Sequence, residues 1–313
     1  MSPPRVDAAT IRRTLRSAGL RARHGLSQNF LVDVDVLEAI LAEAAPEPGG
    51  RVLEIGPGLG FLTGALLEAG ASVTAVELDP GLATFLRDRF AAELAGGSGL
   101  TGPLRLIEGD ALDQPLVRLV APPYDVVANL PYHITSPILH RLLGEPPRPR
   151  RLVLMVQREV AERIAARPGG LSYLSVFVQY HATVRIVRRV GPTSFEPAPA
   201  VESAIIVIEP FAEDDRLEPE AEDALWRLVQ AAFRERRKMI HNVLSRQLPL
   251  PAERVATALA TAGIAPDRRP QTLAVGEWLR LLETIGPIGA DERGRRTAHL
   301  PEPAAAGPAR GDR

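Results

Sequence analysis

Four consecutive residues, Asn-Leu-Pro-Tyr at 129–132, have side chains that suit the binding of a flat, amine-bearing ring. They follow the apolar-rich run Tyr124–Ala128, so they lie at the end of a predicted strand. The amide oxygen of Asn129 and a main-chain carbonyl can accept hydrogen bonds from an exocyclic amino group, and the ring of Tyr132 can stack on the heterocycle. The motif therefore predicts a site that holds a nucleobase by its amino group.

A glycine-rich turn, Glu-Ile-Gly-Pro-Gly-Leu-Gly at 54–60, lies upstream of this motif. Gly56, Gly58 and Gly60 follow a predicted strand and open a predicted helix, where glycine allows a positive φ and close approach of a ligand. Such a turn is weak evidence alone, because nicotinamide and flavin enzymes use similar loops. Glu77 ends the next predicted strand about 20 residues on, where a carboxylate can bind both hydroxyls of a ribose. The alternative is an exposed strand-end acid.

A second carboxylate, Asp110, lies just past the third predicted strand. It could accept a hydrogen bond from the adenine amino group of a cofactor, and it could also be the cap of a helix from Leu112 onward; the two roles are compatible. A dehydrogenase would need a hydride-acceptor site, often with a histidine, but none of the six histidines lies in a recognisable motif. The motif at 129–132 instead favours S-adenosylmethionine as cofactor and methylation of a nucleobase amine.

The elements that must position these residues alternate between helix and strand from residue 33 onward. The predicted strands are Arg51–Ile55, Ser72–Val76, Leu104–Ile107, Asp125–Ala128, Leu152–Gln157, Val184–Val190 and Ala204–Ile208. The predicted helices are Val34–Ala45 (capped by Asp33), Gly60–Ala69, Pro80–Ala92, Ser136–Leu143, Glu159–Ala166 and Tyr173–His181. The alternation is typical of a Rossmann-like α/β fold, with helices on both faces of a parallel sheet.

The pattern changes after Pro210. Only helical periodicity follows between Glu220 and Ile285, which predicts a small all-helical domain. We therefore expect four segments: a basic N-terminal arm at 1–24, a Rossmann-like domain at 25–210, a helical RNA-binding domain at 211–287 and a disordered tail at 288–313.

Composition fits a globular enzyme of ordinary type. The 313 residues are 45% hydrophobic and 24% charged, enough for one large domain and a smaller companion. The absence of cysteine excludes disulfides, thiolate zinc sites and cysteine nucleophiles. No signal-like segment opens the chain and no apolar run reaches the about 18 residues of a membrane helix. These observations predict a cytoplasmic protein.

Charge is nearly balanced overall, at −1, but the cations are clustered. The clusters are Arg12, Arg13, Arg16, Arg21 and Arg23; Arg148, Arg150 and Arg151; and Arg234, Arg236, Arg237 and Lys238. Arginine suits phosphate binding and base stacking. On charge alone, contact with RNA and a solvated surface are equally good interpretations.

Taken as an ordered set, the motifs resemble those of the ribosomal RNA adenine N6-dimethyltransferases, and most of all the bacterial small-subunit branch. The resemblance runs from about 26 to about 285. The matching segments are 25–33, 52–60, 129–132, 155–163, 195–204 and 233–238.

The resemblance implies site residues. It implies that the S-adenosylmethionine pocket is lined by Asn29, Leu31, Gly56, Glu77, Asp110 and Asn129. It also implies that Phe195 stacks on the target adenine opposite Tyr132, although from the sequence alone this phenylalanine between prolines would be a core or loop aromatic. We predict that the Asn129 side-chain oxygen and the Pro131 carbonyl accept the two N–H groups of the adenine. In-line methyl transfer needs alignment and no metal.

The implied reaction is N6,N6-dimethylation of two adjacent adenines in the 3′-terminal hairpin loop of small-subunit rRNA. The expected partner is an immature small subunit, bound by a monomer. Three alternatives remain: the sister enzyme of large-subunit rRNA that confers macrolide resistance, an assembly factor whose role is binding, and, more distantly, a dehydrogenase.

Overall fold

The computed structural model describes residues 7–23, 28–95, 103–212 and 216–288. Its strands are β1 (Phe30–Leu31), β2 (Arg51–Ile55), β3 (Ser72–Glu77), β4 (Leu104–Glu108), β5 (Asp125–Asn129), β6 (Leu152–Gln157), β7 (Ala182–Val190), β8 (Phe195–Glu196) and β9 (Ser203–Pro210). Its α-helices are α1 (Ala8–Ser17), α2 (Val34–Ala44), α3 (Phe61–Glu68), α4 (Pro80–Arg89), α5 (Ala91–Ala95), α6 (Leu116–Leu119), α7 (Thr135–Gly144), α8 (Arg158–Ile164), α9 (Tyr173–His181), α10 (Pro219–Phe233), α11 (Ile240–Gln247), α12 (Ala252–Thr261) and α13 (Val275–Ile285).

A seven-stranded sheet in the order β4-β3-β2-β5-β6-β9-β7 forms the centre of the α/β part. The pairs from β4 to β6 are parallel, whereas β9 is antiparallel to both β6 and β7. The prediction of a wholly parallel sheet was therefore wrong for β9, which runs opposite to the other six strands and makes the last two pairings antiparallel. The chain passes from β7 to β9 without an α-helix, and a parallel crossover normally needs one.

The predicted boundaries in this part are otherwise close to the observed ones, because local signals fix them. Asp33 caps α2 by accepting hydrogen bonds from the Asp35 and Val36 amides at 3.1 and 3.3 Å. Asp79 caps α4 in the same way, ahead of Pro80 in the first turn. Since β2, β3, β4 and β5 run parallel, their carboxyl ends meet at one edge of the sheet.

Two small elements at this edge were not predicted. Helix α1 forms within the predicted basic arm, and its buried Ile11 and Leu15 share a hydrophobic cluster with Leu59 and Leu82. Strand β1 pairs antiparallel with β8, so that Leu31 lies opposite Phe195. The chain entering the sheet is thereby joined to the segment that precedes β9.

Helices α10 to α13 share a core of their own, as the helical pattern predicted. It contains Leu228, Leu244, Leu259 and the fully buried Trp278, and it continues into α9 through Tyr180. The boundaries of the predicted domains stay a prediction. The start of the 25–33 motif, most of the predicted loop at 94–103 and almost all of the predicted disordered tail lie outside the described residues.

Candidate active site

A cleft of roughly 1320 Å³, measured with its open mouth, lies at the carboxyl edge of the parallel strands. It brings together the residues that were predicted to bind a cofactor and those of the motif at 129–132. The predicted residues that line it are Asn29, Leu31, Gly56, Glu77, Asp110, Asn129, Pro131 and Tyr132. Residues 90 or more positions apart in the chain therefore meet in one site.

The glycine turn touches the other motif directly. Gly56 has φ +71°, and a Cβ there would come within 3.3 Å of the Pro131 ring. Gly58 has φ +59°, and a Cβ there would come within 3.2 Å of the Phe30 ring. Both positions thus require glycine for the backbone conformation, and a side chain would also press on the walls of the cleft.

The carboxylate of Glu77 is held in place by two main-chain amides. Gly58 donates to Oε2 at 3.0 Å and Asp79 donates to Oε1 at 2.9 Å. The residue is only 5% exposed, which excludes the alternative of an exposed strand-end acid. Burial raises the pKa of this carboxyl above its usual range, against the opposing effect of the two amides. Each oxygen keeps a lone pair that can face a ribose hydroxyl.

The side chain of Asp110 makes a local turn. Its Oδ1 accepts a hydrogen bond from the Leu112 amide at 2.8 Å, but residues 111–113 form a turn and the next helix, α6, begins only at Leu116 after Pro115. The predicted helix cap was therefore wrong. The other carboxylate oxygen has no hydrogen-bond partner within the described residues. Because the residue also lines the cleft, that oxygen can accept from an exocyclic amine.

A further carboxyl group, that of Glu54, lies in the cleft wall and was not predicted as a site residue. It is 1% exposed, and Oε2 accepts a hydrogen bond from the Thr63 hydroxyl at 2.7 Å. Burial raises its pKa to about 8, and the nearby Glu77 adds to the effect. Glu54 is therefore mainly neutral at pH 7. Its place two residues before Gly56 was the only signal in the sequence.

The Asn129 side chain is oriented by a main-chain carbonyl. Its Nδ2 donates to the Asn29 carbonyl at 3.3 Å. This hydrogen bond assigns the amide nitrogen to that side and leaves Oδ1 as the acceptor. Because Asn29 and Asn129 both line the cleft, this hydrogen bond holds the amide at the cleft wall.

Two main-chain carbonyls follow Asn129. The predicted acceptor, Pro131, already accepts a hydrogen bond from the Ile134 amide at 3.1 Å, so one of its lone pairs remains. The Leu130 carbonyl has no partner within the described residues, while the Leu130 amide donates to Met155 on β6 at 3.1 Å. The structure therefore offers a second candidate acceptor at Leu130.

The phenol of Tyr132 is anchored at its far end. Its hydroxyl lies 2.7 Å from the hydroxyl of Ser203, which begins β9 and is fully buried. Burial raises the pKa of the tyrosine, so the phenol stays protonated at neutral pH. The side chain can therefore stack and form hydrogen bonds but does not serve as a base.

Phe195 is the one predicted site residue that the structure does not bring into the cleft. It is 3% exposed and belongs to a hydrophobic cluster that includes Leu37 and Met155. The pairing of β8 with β1 fixes the backbone at Phe195, and the ring is buried in the core. Its predicted stacking on the target adenine stays a prediction, and it requires the ring to leave the core.

Within the described ranges, no cluster of three or more His, Asp or Glu side chains could hold a metal ion. The same part of the chain contains no helix with the length and apolarity of a membrane span.

Comparison with known proteins agrees with this geometry. The model of the ribosomal RNA adenine dimethylase family matches residues 19–286. The chain belongs to the ribosomal RNA adenine dimethylase family. This dimethylase is 42% identical over 282 residues to the ribosomal RNA small subunit methyltransferase A of Geobacter sulfurreducens, covering 88% of this chain and 99% of that protein. It is 42% identical over 297 residues to the protein of the same name from Moorella thermoacetica, covering 89% and 99%.

Solved structures give the same fold. The dimethylase superposes on the 23S rRNA methyltransferase ErmE with a TM-score of 0.63 and 30% identity, covering 82% of this chain and 99% of that one. A dimethyladenosine transferase from Plasmodium falciparum gives a TM-score of 0.67 and 28% identity, with 80% and 95% covered. The α/β methyltransferase fold is confirmed, and membership of the family excludes the dehydrogenase alternative.

Proposed function

We propose that this dimethylase converts two adjacent adenines in the 3′-terminal hairpin loop of small-subunit rRNA to N6,N6-dimethyladenine, with S-adenosylmethionine as the methyl donor. The observation that carries the chemistry is the fixed amide of Asn129, whose Oδ1 is left as an acceptor in the cleft. The small-subunit relatives are 42% identical over nearly their whole length, whereas the 23S enzyme of known structure is 30% identical. This difference favours the small-subunit substrate.

The cleft fits the proposed cofactor. In this proposal Glu77 accepts hydrogen bonds from both ribose hydroxyls and Asp110 accepts one from the adenine amine; the support is that both carboxylates line the cleft. A Cβ at Gly56 or Gly58 would press on Pro131 or Phe30, which line the same cleft. Asn29 and Leu31 supply the wall on the other side. When bound, S-adenosylmethionine supplies a methyl group on a positively charged sulfur, which departs as a neutral thioether.

The residues after β5 prepare the acceptor nitrogen. The lone pair of adenine N6 is delocalised into the ring, so N6 is a poor nucleophile. Asn129 Oδ1 and one main-chain carbonyl, of Pro131 or Leu130, accept its two N–H groups and favour a pyramidal nitrogen. The lone pair of such a nitrogen would point at the methyl group that bound S-adenosylmethionine would supply, and the extra proton would pass to water. Alignment supplies the catalysis.

The flipped-out base needs a surface to lie on. The ring of Tyr132 provides one face, with a stacking contribution of about 1–3 kcal/mol. Phe195 is proposed for the other face, after its ring leaves the hydrophobic cluster in which it is buried.

We also propose that RNA is bound by the helical segment 211–287 and by the basic arm. The turn Arg234–Lys238 joins α10 to α11 and carries exposed cations. The proposed substrate is an immature small subunit in the cytoplasm, and the enzyme acts as a monomer.

The test is the substitution Asn129→Ala. We expect turnover to fall by about 100-fold or more, as for loss of other transition-state hydrogen bonds, while the dissociation constant for rRNA changes less than about threefold. Single-turnover methylation and RNA binding are measured on the same preparation. Gln179→Ala removes a half-buried amide that donates to the Ile164 and Ala166 carbonyls away from the cleft, and it should leave turnover unchanged. Equal losses of turnover and RNA affinity would contradict the role of Asn129.

Two further measurements address the alternatives. Mass mapping of dimethyladenine in rRNA from a deletion strain decides between the small-subunit and large-subunit substrates. Expression of Asn129→Ala in that strain tests the assembly-factor alternative, because restored subunit maturation would show that binding alone is sufficient.

A further inference from the structure

The hydroxyl of Ser203 is a fixed point in the sheet. Ser203 begins β9 and pairs with Gln157 of β6 on one side and Val190 of β7 on the other. It is fully buried, and its Oγ lies 2.7 Å from the Tyr132 hydroxyl. A hydroxyl held between two neighbouring strands moves less than one on a loop.

Tyr132, in contrast, lies on a short 3-10 turn at 132–134 that follows Pro131. Two hydrogen bonds stabilise the turn. The Ile134 amide donates to the Pro131 carbonyl, and the Thr135 hydroxyl donates to the Tyr132 carbonyl at 3.2 Å. These contacts fix the backbone at Tyr132. The tilt of its ring depends on the contact at the hydroxyl end. Within the described residues, the Ser203 hydroxyl is the hydrogen-bond partner there.

We propose that Ser203 is a positioning residue that sets the plane of the Tyr132 ring, and that the second methyl transfer depends on it more than the first. The proposal rests on the proposed function, in which this ring stacks on the target adenine. Unmodified adenine offers two N–H groups to the two acceptors. Each transfer forms one nitrogen–carbon bond and releases one proton, so the monomethylated base returns with a single N–H.

Stacking therefore carries a larger share of the binding for the second transfer. The monomethylated base must bind again with one of the two acceptors lacking an N–H partner. The ring of Tyr132 is then the directional contact on its face of the base. A ring free to tilt would tolerate the first transfer better than the second. The hydrogen bond between Ser203 and Tyr132, the tether, therefore influences whether the product is monomethyladenine or dimethyladenine.

The experiment is a double-mutant cycle with Ser203→Ala and Tyr132→Phe, which remove the same hydrogen bond from its two sides. Each single variant should lower turnover of the second transfer by about 3- to 10-fold, the range expected for one hydrogen bond. Monomethyladenine should accumulate, and KM for RNA should stay within about twofold. The double variant should lose no more than either single one, since the two groups act as one unit.

Ser175→Ala provides the matched control. Ser175 is also fully buried, and its hydroxyl donates to the Arg163 carbonyl on α8, away from the cleft. This variant should lose thermal stability without changing the ratio of mono- to dimethyladenine. If Ser203→Ala does not fold, Tyr132→Phe still removes the hydrogen bond and decides the matter.

The outcomes separate this proposal from the proposed function. An unchanged product ratio in both single variants, or additive losses in the double variant, would overturn the tether. Tyr132→Ala should be nearly inactive in either case, because the stacking surface is gone. Full activity of Tyr132→Ala would instead contradict the proposed stacking itself.

Discussion

Glu54 shows how burial changes the chemistry of a single side chain next to the cleft. Its carboxyl is fully enclosed, accepts one hydrogen bond from Thr63 and has a pKa raised to about 8. In the unfolded chain this pKa lies near 4.5. The folded state therefore holds a proton that the unfolded state has lost, and stability falls as pH rises toward 8.

We predict that Glu54→Gln removes this dependence. Between pH 6.5 and pH 8 the wild type should lose about 1–2 kcal/mol of unfolding free energy that the variant keeps, because a neutral amide imitates the protonated acid. Urea denaturation at several pH values measures the difference. Parallel curves for the two proteins would mean that Glu54 is ionised in the folded state.

At the same scale, the sequence identified the residues that stand at the ends of parallel strands. Glu77, Asp110 and Asn129 could be predicted because strand order and direction bring those ends together. The contact of Ser203 with Tyr132 depends on the antiparallel strand β9, and the burial of Phe195 depends on the β1–β8 pair. Neither pairing can be recognised from a local sequence pattern. Side-chain roles that arise from such contacts need the fold.

Helix α9 joins the sheet to the helical part through an aromatic cluster. Phe177 of α9 lies 5.1 Å from Trp226 of α10 and 4.0 Å from His140 of α7, measured between ring centroids. His181 lies among these rings with neither ring nitrogen hydrogen-bonded in the described residues. Burial lowers the pKa of His140 to about 4 and that of His181 to about 3, although Glu222 lies 3.7 Å from His181.

This contact between elements should weaken in acid. The unfolded chain takes up protons at these histidines below about pH 6.5, whereas the folded protein resists until about pH 4, so stability falls across that window. We predict that His181→Leu removes about 1.4 kcal/mol of this loss per pH unit. Differential scanning calorimetry of both proteins between pH 7 and pH 4.5 measures this loss of stability. A variant as acid-sensitive as the wild type would show that His181 does not titrate in this way.

Elements with strong local signals were predicted, and those defined by their partners were not. Helix α2 has an Asp cap, an apolar face and a clear end, and its observed bounds differ from the predicted ones by one residue. Helix α1 has only Ile11 and Leu15 on its buried face, and it owes its place to the cluster beneath it. The direction of β9 follows from its neighbours, since a strand pattern reads the same in both directions.

Across the whole molecule, positive and negative charges nearly cancel, but they are distributed unevenly along the chain. The chain has 37 basic and 38 acidic residues, and many of the arginines are engaged in ion pairs. Arg16, Arg237 and Lys238 are exposed, and none has a carboxylate within ion-pair distance among the described residues. Such cations are available for phosphate.

We predict that rRNA affinity falls steeply as salt rises, and that the double variant Arg237→Gln, Lys238→Gln reduces the slope of log affinity against log salt by about 1–2. Filter binding at several salt concentrations measures the slope. Arg151→Gln removes a cation that is paired with Glu209 at the amino end of β6 and should leave the slope unchanged. If the affinity of the wild type hardly changed with salt, the basic turn would not be part of the RNA interface.

The docking of α1 has a practical consequence for handling the enzyme. Ile11 and Leu15 pack in one cluster with Leu59 of the glycine turn, and Arg12 lies 2.9 Å from Glu196. A purification tag or a truncation that prevents residues 8–17 from folding there would uncover apolar side chains at the rim of the cleft. Cofactor titrations on amino-terminally altered protein would then report the alteration as well as the enzyme.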